Sequence, residues 1–304
     1  MNIPIGPDVA WLLRAVADPA LSPDGSRLAY AHSWFGQENG EACSRIMMLD
    51  SATGEQEEFT QGKADSAPKF APNGGTLGFL RPDGKDRRQV WLMAAGGGEA
   101  RQLTAMERGV LDFGWSPDAR WLVVCADVDP DTPPEEPPDA GMPQVQVVRR
   151  IRYRYDTLGW RGDAHFHLFV APVEGGPPTQ ITDGDWDDVA PVWSPDGSRL
   201  AFVSGRRDDR DSRALTEVYV VPATGGEPEM WSEGLFSVGA VVWSPDGQRL
   251  ATLGSGAPEG MVLWQSWLYV LEQGRPPRCL TTDSVKPYVG FPAVSRPPEL
   301  RWTG

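Results

Sequence analysis

One turn, repeated five times, constrains this chain more than any other feature. An apolar residue runs into a Ser-Pro-Asp-Gly-like turn and then into a short apolar strand. The copies are Leu21-Ser22-Pro23-Asp24-Gly25 before SRLAYA, Phe70-Ala71-Pro72-Asn73-Gly74 before GTLGFL, and Trp115-Ser116-Pro117-Asp118-Ala119 before RWLVVC. Trp193-Ser194-Pro195-Asp196-Gly197 precedes SRLAFVS, and Trp243-Ser244-Pro245-Asp246-Gly247 precedes QRLATLG. Proline presets φ in such a turn, Asp supplies a side-chain acceptor, and Gly supplies the permissive φ that a reversal needs.

The turn prolines are 49, 45, 78 and 50 residues apart. A period near 40–50 residues is that of a four-stranded propeller blade. A second motif keeps the same phase. The strand-like segments IMML, VWLMA, LFVAP, VYVVP and WLYVL run into turns carrying Gly54, Gly97-Gly98, Gly175-Gly176, Gly225-Gly226 and Gly274. Short strands then end in EEFT, RQLT, TQIT and RCLT, with EPEMW in the fourth copy. Two independent motifs in phase predict an all-β fold, a β-propeller of five complete four-stranded blades plus the start of a sixth. A sandwich or solenoid is the formal alternative.

The expected layout is a lead-in helix at 1–17 and a propeller over 18–304. Blades fall at roughly 18–60, 61–104, 105–182, 183–232 and 233–282, with a partial sixth at 283–304. The long interval places an insertion, 127–165, in the third blade. Its first part, PDTPPEEPPDAGMP, is too rich in proline for sheet or helix and reads as an extended loop. Its second part alternates. Ile151, Tyr153 and Tyr155 share one face, and Arg150, Arg152 and Arg154 the other. These arginines are candidates for contact with a substrate carboxylate or a partner, since guanidinium suits bidentate carboxylate recognition. A solvated strand edge is the plainer reading.

A net charge of −14 argues against non-specific binding to nucleic acid or an anionic membrane. The amino-terminal segment lacks a basic region followed by an apolar stretch, so no secretory signal is expected. Three cysteines far apart, Cys43, Cys125 and Cys279, fit buried thiols in a reducing compartment, and a cytoplasmic location is expected.

Catalytic and metal-binding patterns are sparse. There is no G-x-S-x-G elbow and no phosphate-binding glycine loop. Asp183, Asp185, Asp187 and Asp188 resemble a calcium loop, but position six would be Asp188 instead of Gly and position twelve Ser194 instead of Glu. They are expected to form turns and meet solvent, as is the mixed-charge stretch GRRDDRDSR. His165 and His167 share a strand face but have no ligand at metal spacing, so packing is expected. No catalytic residue, metal site or cofactor is expected.

The WSPDG-plus-LAF repeats resemble those of TolB. More specifically, the chain resembles the amino-terminal propeller of serine peptidases of the prolyl oligopeptidase clan, acylaminoacyl-peptidase branch. The segments carrying this resemblance are WLLRAVADPALSPDGSRLAY and the stretch from VVRRIRYRYDTLGWRGD to LAFVSGRRDD. The resemblance implies a propeller that caps an α/β-hydrolase domain and admits only short or unfolded peptides. That hydrolase domain would be the main partner, with peptides as substrates. None of the family's catalytic residues has a counterpart here. Trp302 falls at the position of Trp193 and Trp243, so the sequence reads as part of a longer peptidase that stops in its sixth blade.

Overall fold

In the computed structural model, residues 6–37, 40–129, 148, 150–151, 153–155, 159–213, 215–256, 266–281 and 300–302 are described. The five turns sit where the repeat places them, each joining the first two strands of a four-stranded antiparallel sheet. The first sheet comprises β1 (Arg14–Leu21), β2 (Arg27–Phe35), β3 (Ala42–Asp50) and β4 (Gln56–Glu58), and the second β5 (Ser66–Phe70), β6 (Thr76–Pro82), β7 (Arg88–Ala94) and β8 (Arg101–Gln102). In the third, β9 (Val110–Trp115) and β10 (Trp121–Val128) are followed by a small separate hairpin, β11 (Arg154–Tyr155) with β12 (Gly159–Trp160). The sheet is then completed by β13 (His165–Pro172) and β14 (Thr179–Gln180). The fourth holds β15 (Asp188–Trp193), β16 (Arg199–Ser204), β17 (Glu217–Pro222) and β18 (Glu229–Met230). The fifth holds β19 (Val241–Trp243), β20 (Arg249–Gly254), β21 (Trp267–Glu272) and β22 (Arg278–Cys279).

The lead-in differs from expectation. It is one 3-10 helix, Pro7–Leu12, and β1 already starts at Arg14, where it pairs with Trp34 of β2. Pairing with β2 fixes the segment as strand, which local helix preference over so short a stretch does not oppose. In the insertion, residues 130–147 lie outside the described part, and among the described residues between β10 and β13 regular strand is confined to the β11–β12 hairpin.

The turns are built as their residues dictate. The Ser22 hydroxyl donates to Asp24 Oδ1 at 2.6 Å and accepts from the Arg27 N–H at 2.9 Å, while the Ser26 N–H donates to the same carboxylate. Ser116, Ser194 and Ser244 repeat the pattern with Asp118, Asp196 and Asp246. Gly25, Gly197 and Gly247 hold φ near 70°, and Ala119 must adopt φ 58 in the same place.

A second device closes each sheet. The Thr60 hydroxyl accepts the N–H of Ile46, Thr104 that of Val90, Thr182 that of Leu168, and Thr281 that of Leu268. In the fourth sheet, which lacks the threonine, Ser232 accepts from Val218 at 2.8 Å. The hydroxyl ending each repeat thus satisfies a third-strand amide beyond the short fourth strand.

The chain divides into two compact units, Met1–Leu122 with Ala171–Pro178, and Val123–Val170 with Thr179–Gly304. In the first, Ala29, Ile46, Leu77, Phe79 and Met93 form a core between the first two sheets. In the second, Val218, Trp231, Val241, Trp243, Leu250 and Leu271 do so between the fourth and fifth. An indole recurs within each unit. Trp115 donates to Lys69 O at 2.9 Å in the first, and Trp243 to Val192 O at 3.2 Å and Trp302 to Val242 O at 3.3 Å in the second.

Candidate functional site

The charged residues of the second unit converge on one place. Arg161, 5 % exposed, bonds Asp127 at 2.6 Å and Asp187 at 3.0 Å, and its guanidinium lies 4.0 Å from the centroid of Phe166. Arg150 reaches Asp163 at 3.1 Å, Asp185 and, at 3.8 Å, Asp211. Arg210 also pairs with Asp185, and donates to its backbone carbonyl at 2.9 Å. His165 stands between two carboxylates, Nε2 3.2 Å from Asp185 and Nδ1 3.6 Å from Asp187. Below them Arg206 bonds the buried Asp188 at 2.9 Å, and its guanidinium lies over Trp186 and Tyr219. His167 faces Asp188 at 3.4 Å.

The strand register explains this convergence. β13 carries His165 and His167 on one face, and the segment leading into β15 carries Asp185, Asp187 and Asp188 against them. The loop after β16 brings Arg206 and Arg210 to the same carboxylates. Burial opposes the charge on Asp187, but the His165 hydrogen bond and the Arg161 charge outweigh it and hold the carboxyl below its usual range. At Asp185 burial is likewise outweighed, there by Arg210 and Arg150. Glu217 behaves oppositely. It is buried with Arg207 only at 3.5 Å, and burial raises its carboxyl above the usual range.

Of the four aspartates expected to meet solvent, Asp183 is exposed, whereas Asp185, Asp187 and Asp188 are bound by arginines and histidines. The stretch GRRDDRDSR, expected to be a solvated loop, turns Arg206, Arg207 and Arg210 inward. Of the three arginines singled out from sequence, Arg150 is engaged by aspartates, Arg154 lies exposed on β11, and Arg152 is outside the described residues. Arg161 was not singled out, because one arginine in a Trp-Arg-Gly-Asp stretch carries no periodic signal; only its partners mark it.

Around this network is a cavity of about 300 Å³, lined by Arg161, His165, Phe166, Trp186, Val203 and Leu215 among others. Gly184 lies against the ring of Trp186. Its φ is +117, and a Cβ there would lie 2.4 Å from the Trp186 ring. The site offers hydrogen-bond donors, carboxylates and apolar wall, and among the described residues no nucleophile is paired with a base. Among the described residues no group of His, Cys, Asp and Glu is arranged to hold a metal ion.

No family model matches the sequence. The chain is 31 % identical over 201 residues to an uncharacterized peptidase, YuxL, of Bacillus subtilis; the match covers 65 % of this chain and 31 % of that protein. The acylaminoacyl peptidase of Pyrococcus horikoshii superposes with a TM-score of 0.66 at 16 % identity, over 87 % of this chain and 40 % of that one. A putative TolB from Agrobacterium tumefaciens gives 0.56 at 16 % identity, over 88 % of this chain and 81 % of that one. The chain therefore spans about a third of the curated peptidase it matches. Its fold is an all-β propeller, and it resembles the propeller portion of acylaminoacyl-peptidase-like serine peptidases and, more distantly, TolB.

Proposed function

We propose that this chain is the non-catalytic, substrate-gating propeller of an acylaminoacyl-peptidase-like serine peptidase. Peptide bonds would be cut by an α/β-hydrolase domain, and the propeller would dock that domain and limit access to short or unfolded peptides. The observation that carries this reading is the 31 % identity to a peptidase over two thirds of the chain. The chemistry of the site agrees with it, since carboxylates held by guanidiniums serve recognition and rigidity better than bond cleavage. From the arginine face, Arg154, which is exposed, is a candidate for contact with a peptide or the partner domain, as is Arg152, which lies outside the described residues.

The test is hydrolysis of an acetyl-alanine anilide by the purified chain, run beside labelling with a fluorophosphonate probe. No turnover and no label are expected. Turnover accompanied by covalent labelling of this chain would sink the proposal.

A second reading is a stand-alone, TolB-like protein-binding propeller. It is favoured by the 81 % of the Agrobacterium protein that the fold covers. A reading frame that continues past Gly304 into a G-x-S-x-G segment supports the peptidase; a frame without one supports the binding propeller.

A further inference from the structure

Glu217 opens β17 at the foot of the loop that follows β16, where it pairs with Ser204. The loop returns tightly to this point, since a Cβ on Gly205 would lie 2.8 Å from the Leu215 carbonyl oxygen. The Glu217 side chain is 2 % exposed, and neither carboxyl oxygen accepts a hydrogen bond. It is paired with Arg207 Nη1 at 3.5 Å, from a loop side chain that also lies over Phe236 and reaches Asp209 at 3.4 Å. A carboxylate taken out of water with so little compensation is costly, and the uncharged acid is far less so.

The charged and titratable groups around Glu217 are Arg207 and Asp209 of the loop, Tyr219 on the same strand and, about that phenol, Arg206 and Asp188. Burial raises the Glu217 carboxyl above its ordinary range, and Arg207 offsets this only in part. Burial and then the Glu217 charge push the neighbouring Tyr219 phenol up to about 12, as expected of a dry surrounding. Opening of the loop returns Glu217 to water. The raised value in the closed form therefore favours closure below the ordinary glutamic acid range, and that advantage is lost as pH rises through the raised value. The loop is also tied through Arg206 to Asp188 and through Arg210 to Asp185. Burial at Asp185 is outweighed by Arg210 and Arg150, so its lowered carboxyl keeps that tie at every pH above the ordinary range. Of Asp185 and Glu217, only Glu217 loosens the loop on the alkaline side.

We infer that Glu217 and the loop 205–213 form a pH-sensitive latch on the candidate site: a neutral Glu217 keeps the loop closed, and ionisation of that carboxyl favours its release. Release withdraws Arg210 from the cavity wall and Arg206 from Asp188. The latch belongs to the site itself and works without any hydrolase domain.

Hydrogen exchange of the full chain tests it, read by mass spectrometry from pH 5 to pH 8 and corrected for the intrinsic rate at each pH. The peptide followed covers 205–213, where the Arg210, Ser212 and Arg213 amides are hydrogen-bonded within the closed loop. In the parent, protection there should fall at least about threefold across this range, one proton permitting at most about tenfold per pH unit. Glu217→Gln keeps the shape of the neutral acid and should remove the fall. His165 and His167 face Asp185 and Asp188, the carboxylates that Arg210 and Arg206 hold. A fall that persists in Glu217→Gln would therefore assign the titration to other groups and overturn the inference, as would constant protection in the parent. If Glu217→Gln fails to fold, Glu217→Met, uncharged and of similar length, takes its place with the same expectation.

Discussion

Ala119 is the one turn position where an alanine stands in place of the repeat's glycine, and it holds the same left-handed φ. A Cβ in that region costs about 1 kcal/mol. The rest of its turn is intact, with Ser116 bonded to Asp118 and to the Trp121 N–H. Ala119→Gly should therefore stabilise the chain by up to about 1 kcal/mol, less the added freedom of glycine in the unfolded state. Urea denaturation would show it as a higher midpoint at unchanged slope; an unchanged or lower midpoint would mean that the turn accommodates alanine without strain. Single residues also mark where sequence reading ran short. Ser232 does the work of the missing threonine, and a serine after Met-Trp gave no cue to it. Arg161 joins residues 34 and 26 positions away, at distances along the chain that no local period encodes.

At the scale of the element, the sheets were legible because turn chemistry and the alternation of apolar residues are local properties. The Ser-Pro-Asp-Gly turns and the glycine turns lie where the repeat put them, and the strands between them form four-stranded sheets. The closing hydroxyls were visible only as a recurrent final threonine; their role needed the register. Thr182→Val keeps the shape but removes the acceptor for the Leu168 N–H, which should cost about 1–2 kcal/mol in chemical denaturation. A loss under 0.3 kcal/mol would show that the amide finds another acceptor. The turns also predict acid behaviour. Hydrogen bonds from Ser194 and Ser198 lower the Asp196 carboxyl to about 2, and those from Ser22 and Ser26 do the same for Asp24. A depressed folded value means the stability contribution is present above about pH 3.9 and is lost as pH falls towards 2. The thermal midpoint of Asp196→Asn should accordingly fall less than that of the parent between pH 4 and pH 2. Parallel curves would contradict this assignment.

For the molecule as a whole, the fold class was written in the repeat, whereas the candidate site was not. Its charges come from the insertion, from the approach to β15 and from the loop after β16, and each stretch alone reads as solvated surface. Only tertiary placement turns acidic and basic runs into a paired network, so a count of charges along the chain pointed to solvent. Arg161 tests how much the second unit depends on that network. Arg161→Met retains the bulk against Phe166 but leaves Asp127 and Asp187 without their guanidinium, and should cost about 3 kcal/mol. A loss below 1 kcal/mol would show that water compensates these carboxylates. One feature of the sheets also bears on how the chain is made. The donors of the indole ties stand 46, 51 and 60 residues after their acceptors, at Trp115, Trp243 and Trp302. During translation at about 5–20 residues per second, each acceptor strand must wait on the order of 2–12 s for the tryptophan that fastens it. For these three sheets assembly then has a direction, and each stays unfastened on the ribosome until the next tryptophan emerges.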